Sequence, residues 1–184
     1  MFFCLAVTCL NCTEASDTYD QFMDIQLDIR MSNSINQALC QYVQPEQLGE
    51  CSYRCSKCHQ MVTALKTVTV HQPSNVLTLC LNRFDIFSNR KIKKSVAYPE
   101  CLDLRCYTSE PNGTPILYNL YAVLVHAGTT CNSGHYFCYV KGPNGNWYKM
   151  NDNSVTSVDI KIVLKQEAYL LFYIRYVLFT LSFL

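Results

Sequence analysis

The sequence predicts an α+β domain, an antiparallel sheet with a few helices. Three observations carry this prediction. One amphipathic stripe lies in the N-terminal third, aromatic and β-branched runs fill most of the C-terminal two thirds, and an Asn-Gly turn joins two of those runs.

"SINQALCQYV" is the helix. Ile35, Ala38, Leu39, Tyr42 and Val43 fall at i, i+3, i+4, i+7 and i+8 and make one apolar stripe. Ser34, with Gln37 three residues on, is a capping-box pattern. Pro45 marks the end. After residue 58 the signal turns to strands. "MVTALKTVTV", "NVLTLCLNRF", "LYAVLVHAG" and "HYFCYVK" are rich in Val, Leu, Tyr and Phe, with turn residues between them. "PNGNW" is a hairpin signal that joins "HYFCYVK" to "NWYKMND". A short helical piece is expected from Ser157 to about Lys165, and "AYLLFYIR" is the last strand. No internal repeat or low-complexity segment interrupts this order.

Composition narrows the function classes. The 184 residues suit one domain or part of a larger one. Apolar residues make up 49%, enough for a core, and the net charge of +1 gives no electrostatic case for nucleic acid. Arg90-Lys91 and Lys93-Lys94 are short basic pairs of the kind found on solvated turns. The opening "MFFCLAVTCL" has no basic start, only a short apolar stretch and no clear small-residue cleavage site after it, so a secretory leader is not expected. The apolar end from Ala168 to Leu184 carries Arg175 near its middle and makes a poor membrane span, so no membrane partner is expected. Residues 176–184 form an apolar tail with no assigned role.

There are 12 cysteines. An even count, with sequons at Asn11 and Asn112, would suit a secreted disulfide scaffold. Against that, cysteines such as Cys80 sit singly inside apolar strand-like runs, where a free thiol packs as a small hydrophobe. The expectation is a reducing, intracellular setting, in the nucleus or the cytosol. "CLNC" (Cys9, Cys12) and "CSKC" (Cys55, Cys58) are two C-x-x-C pairs. Four thiolates from two knuckles are what a tetrahedral structural Zn2+ takes, and the long insertion between the pairs contains the helix. Cys51 and His59 are alternative ligands. The bland alternative is two redox or merely buried cysteine pairs.

"SGHYFCYVK" holds the candidate catalytic residue, His135. Counting outward from the hairpin turn at Pro143–Asn146 brings Asn151 and Asp152 near it. Nucleophilic catalysis needs this arrangement, in which an orienting group holds the imidazole so that its far nitrogen can deprotonate a thiol or hydroxyl. Spacing alone does not separate such a base from a structural histidine.

The stretch resembles the histidine box of the ubiquitin-specific proteases, the papain-like cysteine deubiquitinases also called ubiquitin carboxyl-terminal hydrolases. "LYAVLVHAG", "SGHYFCYVK", "WYKMND" and "AYLLFYIR" are similar in order and spacing to that family's C-terminal block. "NVLTLCLNRF" resembles its "vLtl.LkRF" strand, with Asn82 where a lysine is usual, and "KIKKSVAYPECLDL" resembles the segment after it. "CLNC…DIQLDI…QLGECSYRCSKC" resembles its zinc-bearing fingers. The resemblance implies the family's hand-like architecture, with fingers over about residues 5–75 and an antiparallel palm sheet over about 76–175. It implies His135 as general base, Asn151 as the third triad member and Asp152 as an assistant. It implies Cys9, Cys12, Cys55 and Cys58 as Zn2+ ligands, and ubiquitin and ubiquitinated proteins as partners. The "HAGTTCNSG" loop matches one that lies over the substrate tail, and His126 is expected to serve that loop or the sheet rather than the chemistry.

The family's nucleophile lies in an N-terminal box resembling "GNTCfmNs.lQ", and these 184 residues contain no such box. "GTTC", Gly128 to Cys131, echoes it only superficially, with no helix after it to lower the thiol pKa. The expectation is therefore a partial catalytic domain lacking the thumb, as a fragment, a partial gene model, a splice product or a decayed copy, and inactive by itself. The alternatives are a catalytically dead ubiquitin-binding module and a zinc-stabilised structural domain.

Overall fold

A computed structural model describes residues 1–84, 90–130 and 132–176. Cys131 and the tail from residue 177 onward lie outside the described residues. The elements begin with β1 (Phe2–Cys9), β2 (Ala15–Gln21), β3 (Asp24–Asp28) and α1 (Ile35–Tyr42). The short strands β4 (Glu46–Gln47), β5 (Tyr53–Arg54) and β6 (Met61–Val62) lead into β7 (Ala64–Gln72) and β8 (Val76–Asn82). Then come β9 (Cys101–Asp103), β10 (Leu117–Ala127), β11 (His135–Lys141), β12 (Trp147–Asn151) and β13 (Ser154–Val158). The helix α2 (Ile160–Val163) and β14 (Ala168–Arg175) complete the series.

Among the described residues the strands form three sheets. The largest runs β13-β12-β11-β10-β14-β8-β3, with β9 paired to β10. Its neighbours are antiparallel except β3, which lies parallel to β8. A four-stranded sheet runs β2-β1-β7-β4, and β5 pairs with β6. The sequence signals strands only after residue 58, yet β1, β2 and β3 precede it. The physical reason is plain in β2, "ASDTYDQ", whose seven residues are all exposed. It has no buried face to impose alternation and is held by its backbone ladder to β1.

The α1 cap forms with one shift from its sequence signal, because Gln37 reaches past the N-cap Ser34 to the amide of Asn33. Ser34 Oγ accepts the Gln37 amide at 3.2 Å, and Gln37 Oε1 accepts the Asn33 amide at 2.9 Å. Ile35, Ala38 and Leu39 are buried against a core that also contains Ile25, Leu79, Leu171 and Tyr173. The helical piece expected from Ser157 is corrected. Residues 154–158 are β13, and the helix starts only after Asp159, whose carboxylate accepts the Lys161 amide at 2.7 Å. "SVTSV" is exposed along most of its length, so its alternation carries no apolar mark. Among the described residues no helix is long and apolar enough to cross a membrane.

Candidate active site and metal centre

The two cysteine pairs fold into matching knuckles. In the first, the Cys9 amide donates to Glu14 O and the Thr13 amide to Cys9 O, each at 2.9 Å. In the second, the Cys55 amide donates to Gln60 O and the His59 amide to Cys55 O, each at 3.0 Å. Thr13 and His59 follow the second cysteine of their pairs and both take left-handed backbone, at φ +59° and +58°. The tight turn this produces brings both sulfurs of a pair to one side.

The four sulfurs, of Cys9, Cys12, Cys55 and Cys58, lie within 4.8 Å of one another, and Cys12 Sγ stands 3.6 Å from Cys55 Sγ. Zinc–sulfur bonds of about 2.3 Å at tetrahedral angles set sulfurs about 3.8 Å apart, so the cluster has the dimensions of a metal cage. Cys51 and His59 are not part of it. Backbone amides of Cys58 and Lys57 pull the Cys55 thiol down to about 6. At Cys12 the Glu14 amide favours the thiolate, but burial and the thiols of Cys9, Cys55 and Cys58 outweigh it and push the pKa up to about 11. Four sulfurs held this close fit a dication that would neutralise their thiolates. Lys57 pairs with Glu14 at 2.7 Å and ties one knuckle to the other, a link with no sequence signal.

The second site lies at one end of the large sheet. The hairpin between β11 and β12 turns where expected, with the Gly142 amide donating to Asn146 O at 2.8 Å and Gly145 at φ +81°. The register runs from Lys141 opposite Trp147 to Cys138 opposite Met150. Carried on, it sets Asn151 opposite Phe137, on the same face as His135 two residues further along. The side chains meet there, with His135 Nε2 at 2.5 Å from Asn151 Oδ1. An amide oxygen only accepts, so Nε2 carries the hydrogen and donates it. The neutral ring then keeps its lone pair on Nδ1.

Asp152 Oδ2 stands 3.7 Å from His135 Nε2, with its side chain 76% exposed. Asp152 and Asn153 are the two-residue loop between β12 and β13, since Asn151 pairs with Ser154. Asp152 takes φ +49°, a conformation that Asp tolerates in such hairpin turns. His126, in β10, is buried and packs its ring against Phe84 and Tyr136 at 5.2 and 4.8 Å between centroids. Burial and the cation of Lys91 hold its pKa below the usual histidine range. Lys91, whose side chain is only 5% exposed, donates to His126 O. That contact is not legible in the sequence, where Lys91 looks like part of a solvated turn.

A strand-led sheet headed by an amide-oriented histidine, joined to a four-thiol finger, is the combination that the resemblance to the cysteine deubiquitinases leads one to expect. The profile described as "Ubiquitin carboxyl-terminal hydrolase" matches residues 6–173, and the chain belongs to that family. Human ubiquitin carboxyl-terminal hydrolase 42 is 59% identical over 170 residues, covering 92% of this chain and 13% of that protein. Human ubiquitin carboxyl-terminal hydrolase 17-like protein 20 is 52% identical, again over 92% of this chain and over 32% of its own. The SAGA Ubp8/Sgf11/Sus1/Sgf73 DUB module bound to ubiquitin aldehyde matches with a TM-score of 0.88 at 32% identity, over 96% of this chain and 41% of the matched one. The chain thus spans less than half the length of each of these relatives.

Proposed function

We propose that these residues supply the base-bearing palm and the zinc-bearing fingers of a deubiquitinase that hydrolyses the bond after the C-terminal glycine of ubiquitin. The observation that carries this reading is the His135–Asn151 hydrogen bond, which leaves Nδ1 as the open nitrogen. In this reading Nδ1 takes the proton of a cysteine thiol and the thiolate attacks the glycine carbonyl. The imidazolium returns the proton to the leaving amine, a thioester remains, and water activated by the same nitrogen hydrolyses it. The products are ubiquitin with a free carboxylate and the regenerated thiol. Asn151 orients the ring and Asp152 lends negative charge beside it. Zn2+ is the proposed ion of the four-cysteine cage, where it would neutralise the thiolates and lock the two knuckles together. A cage of thiolates needs a reducing compartment, which makes the nucleus or cytosol part of the proposal.

The nucleophile belongs to a box that these 184 residues do not contain, so by themselves they are proposed to hold ubiquitin without cleaving it. The test joins a segment carrying the family's cysteine box ahead of Met1 and labels the product with a ubiquitin C-terminal electrophile. Covalent labelling that collapses in His135→Ala is expected. Labelling that ignores His135→Ala would sink the assignment of the base, and labelling of the 184 residues alone would sink the proposed inactivity.

A further inference from the structure

The proposed base needs its backbone held still, and the residue just before it has an unusual neighbour. A Cβ built on Gly134 would collide with Nε2 of His126 and lie 2.7 Å from its Cε1. A Cβ built on Gly128 would lie 2.6 Å from the same Cε1. Both positions are far inside van der Waals contact. The Cε1–Nε2 edge of His126 therefore packs directly on two backbone positions, where the chain leaves β10 and where it enters β11.

The register shows what this achieves. His126 lies opposite Tyr136, and Ala127 opposite His135. Alternation puts the His126 ring on one face of the sheet and the His135 side chain on the other. The ring thus supports the start of β11 from behind. It is held there by Phe84 and Tyr136, and Lys91 ties down its backbone carbonyl. Lys91 also donates its amide to Thr129 O at 3.0 Å, which fixes the loop to the same point. Among the described residues His126 Nδ1 has no hydrogen-bond partner although it is buried. A buried polar atom left unpaired costs stability, so the ring is kept at a cost that packing alone would avoid with an apolar residue.

We propose that His126 is a positioning residue for His135, a buried post on which Gly128 and Gly134 close and which, together with Ala127 O and the φ of +159°, keeps position 134 a glycine. This rests on the reading of His135 as the base. The post keeps the first residue of β11 from sinking away from Asn151, and so preserves the bond that leaves Nδ1 open. His126 touches no reacting atom in this scheme.

The test reads the His135–Asn151 bond directly in the 184-residue chain, by NMR of the imidazole nitrogens and their protons. Wild type is expected to show His135 as the Nε2–H tautomer with a slowly exchanging proton. Gly134→Ala should lose that preference, and exchange of the Nε2 proton should speed up about tenfold or more. His126→Ala leaves the backbone unobstructed and should raise exchange less. The double variant His126→Ala/Gly134→Ala removes the ring clash, leaves the 2.9 Å approach to Ala127 O and the φ of +159°, and should recover part of the wild-type signature. Three outcomes would overturn the inference: a Gly134→Ala protein with wild-type His135 signals, a double variant no closer to wild type than Gly134→Ala, or an unchanged His135 in His126→Ala. If Gly134→Ala does not fold, recovery of a folded double variant supports the post, and its failure to fold counts against it. A wild-type spectrum without the Nε2–H tautomer would instead defeat the reading of His135 as base, so the two failures are distinguishable.

Discussion

Removing the proposed Zn2+ should melt the tip of the fingers and leave the palm standing. The tip has little else to hold it. Its buried cluster consists of Cys9, Cys55 and Val62, with Cys12, Tyr53 and Cys58 packed around it. Burying one valine stabilises by about 1.5–3 kcal/mol, whereas a structural zinc in a thiolate cage contributes about 10–16 kcal/mol. The metal is the larger effect by several-fold. The main core is separate and holds Leu77, Leu79, Leu81, Leu120, Leu171 and Tyr173, all fully buried. A chelator should therefore abolish amide protection in 9–14 and 55–60, where the knuckle bonds lie, while β8, β10 and β14 stay protected. Hydrogen exchange read by mass spectrometry on protein of known zinc content, with and without chelator, measures this. Full protection of both knuckles in protein shown to be metal-free would refute the reasoning, as would folded protein that never contained about one zinc per chain.

In a protein completed with the cysteine box, His135→Ala should lower single-turnover cleavage of a ubiquitin–amine substrate by about 10³-fold or more, and Asn151→Ala by less, because the second change removes only the orienting partner. Asn151→Asp should be tolerated, since a carboxylate oxygen accepts the same N–H. The depressed pKa of His126 makes stability fall on the acid side. The unfolded chain takes up the proton first, so wild type should lose thermal stability as pH drops below about 6.5, and His126→Gln should lose less over the same range. Leu79→Ala, fully buried in β8, should cost about 2–5 kcal/mol in denaturant unfolding, against under about 1 kcal/mol for Lys57→Ala at the exposed pair with Glu14.

What the sequence reveals and what it hides divides along burial. The α1 helix is legible because its stripe must face the core, and Ser34 and Gln37 announce its start. Strands buried on one or both faces, β8, β10 and β14, are legible for the same reason. The β11–β12 hairpin announces itself through Asn144 and Gly145, and with it comes the meeting of His135 and Asn151. The cysteine pairs are legible because their short spacing is a chemical requirement. β2 and β13 leave no trace, since exposed strands have no face for sequence to mark. The parallel pairing of β3 with β8 is hidden because partner choice is decided by the whole sheet. Lys91 misleads because a cation in a polar run looks solvated, and only the folded chain reveals the carbonyl and carboxylate around it.

The geometry of the histidine also bears on which group does what around it. Asn151 has no charge, so its part is to fix the tautomer and aim the ring, and the 2.5 Å contact suits that role. Asp152 has the charge but stands 3.7 Å away and is 76% exposed, where water screens most of the attraction. Its influence on an imidazolium would grow only when something covers the turn and excludes water. Among the described residues the ring is oriented by the ladder between β11 and β12, the two-residue turn at Asp152, and the packing of His126 beneath Gly134. The proposed base is therefore organised before a nucleophile arrives. A cysteine brought to this site by another segment would have to approach from the Nδ1 side, because the Nε2 side is already taken by Asn151.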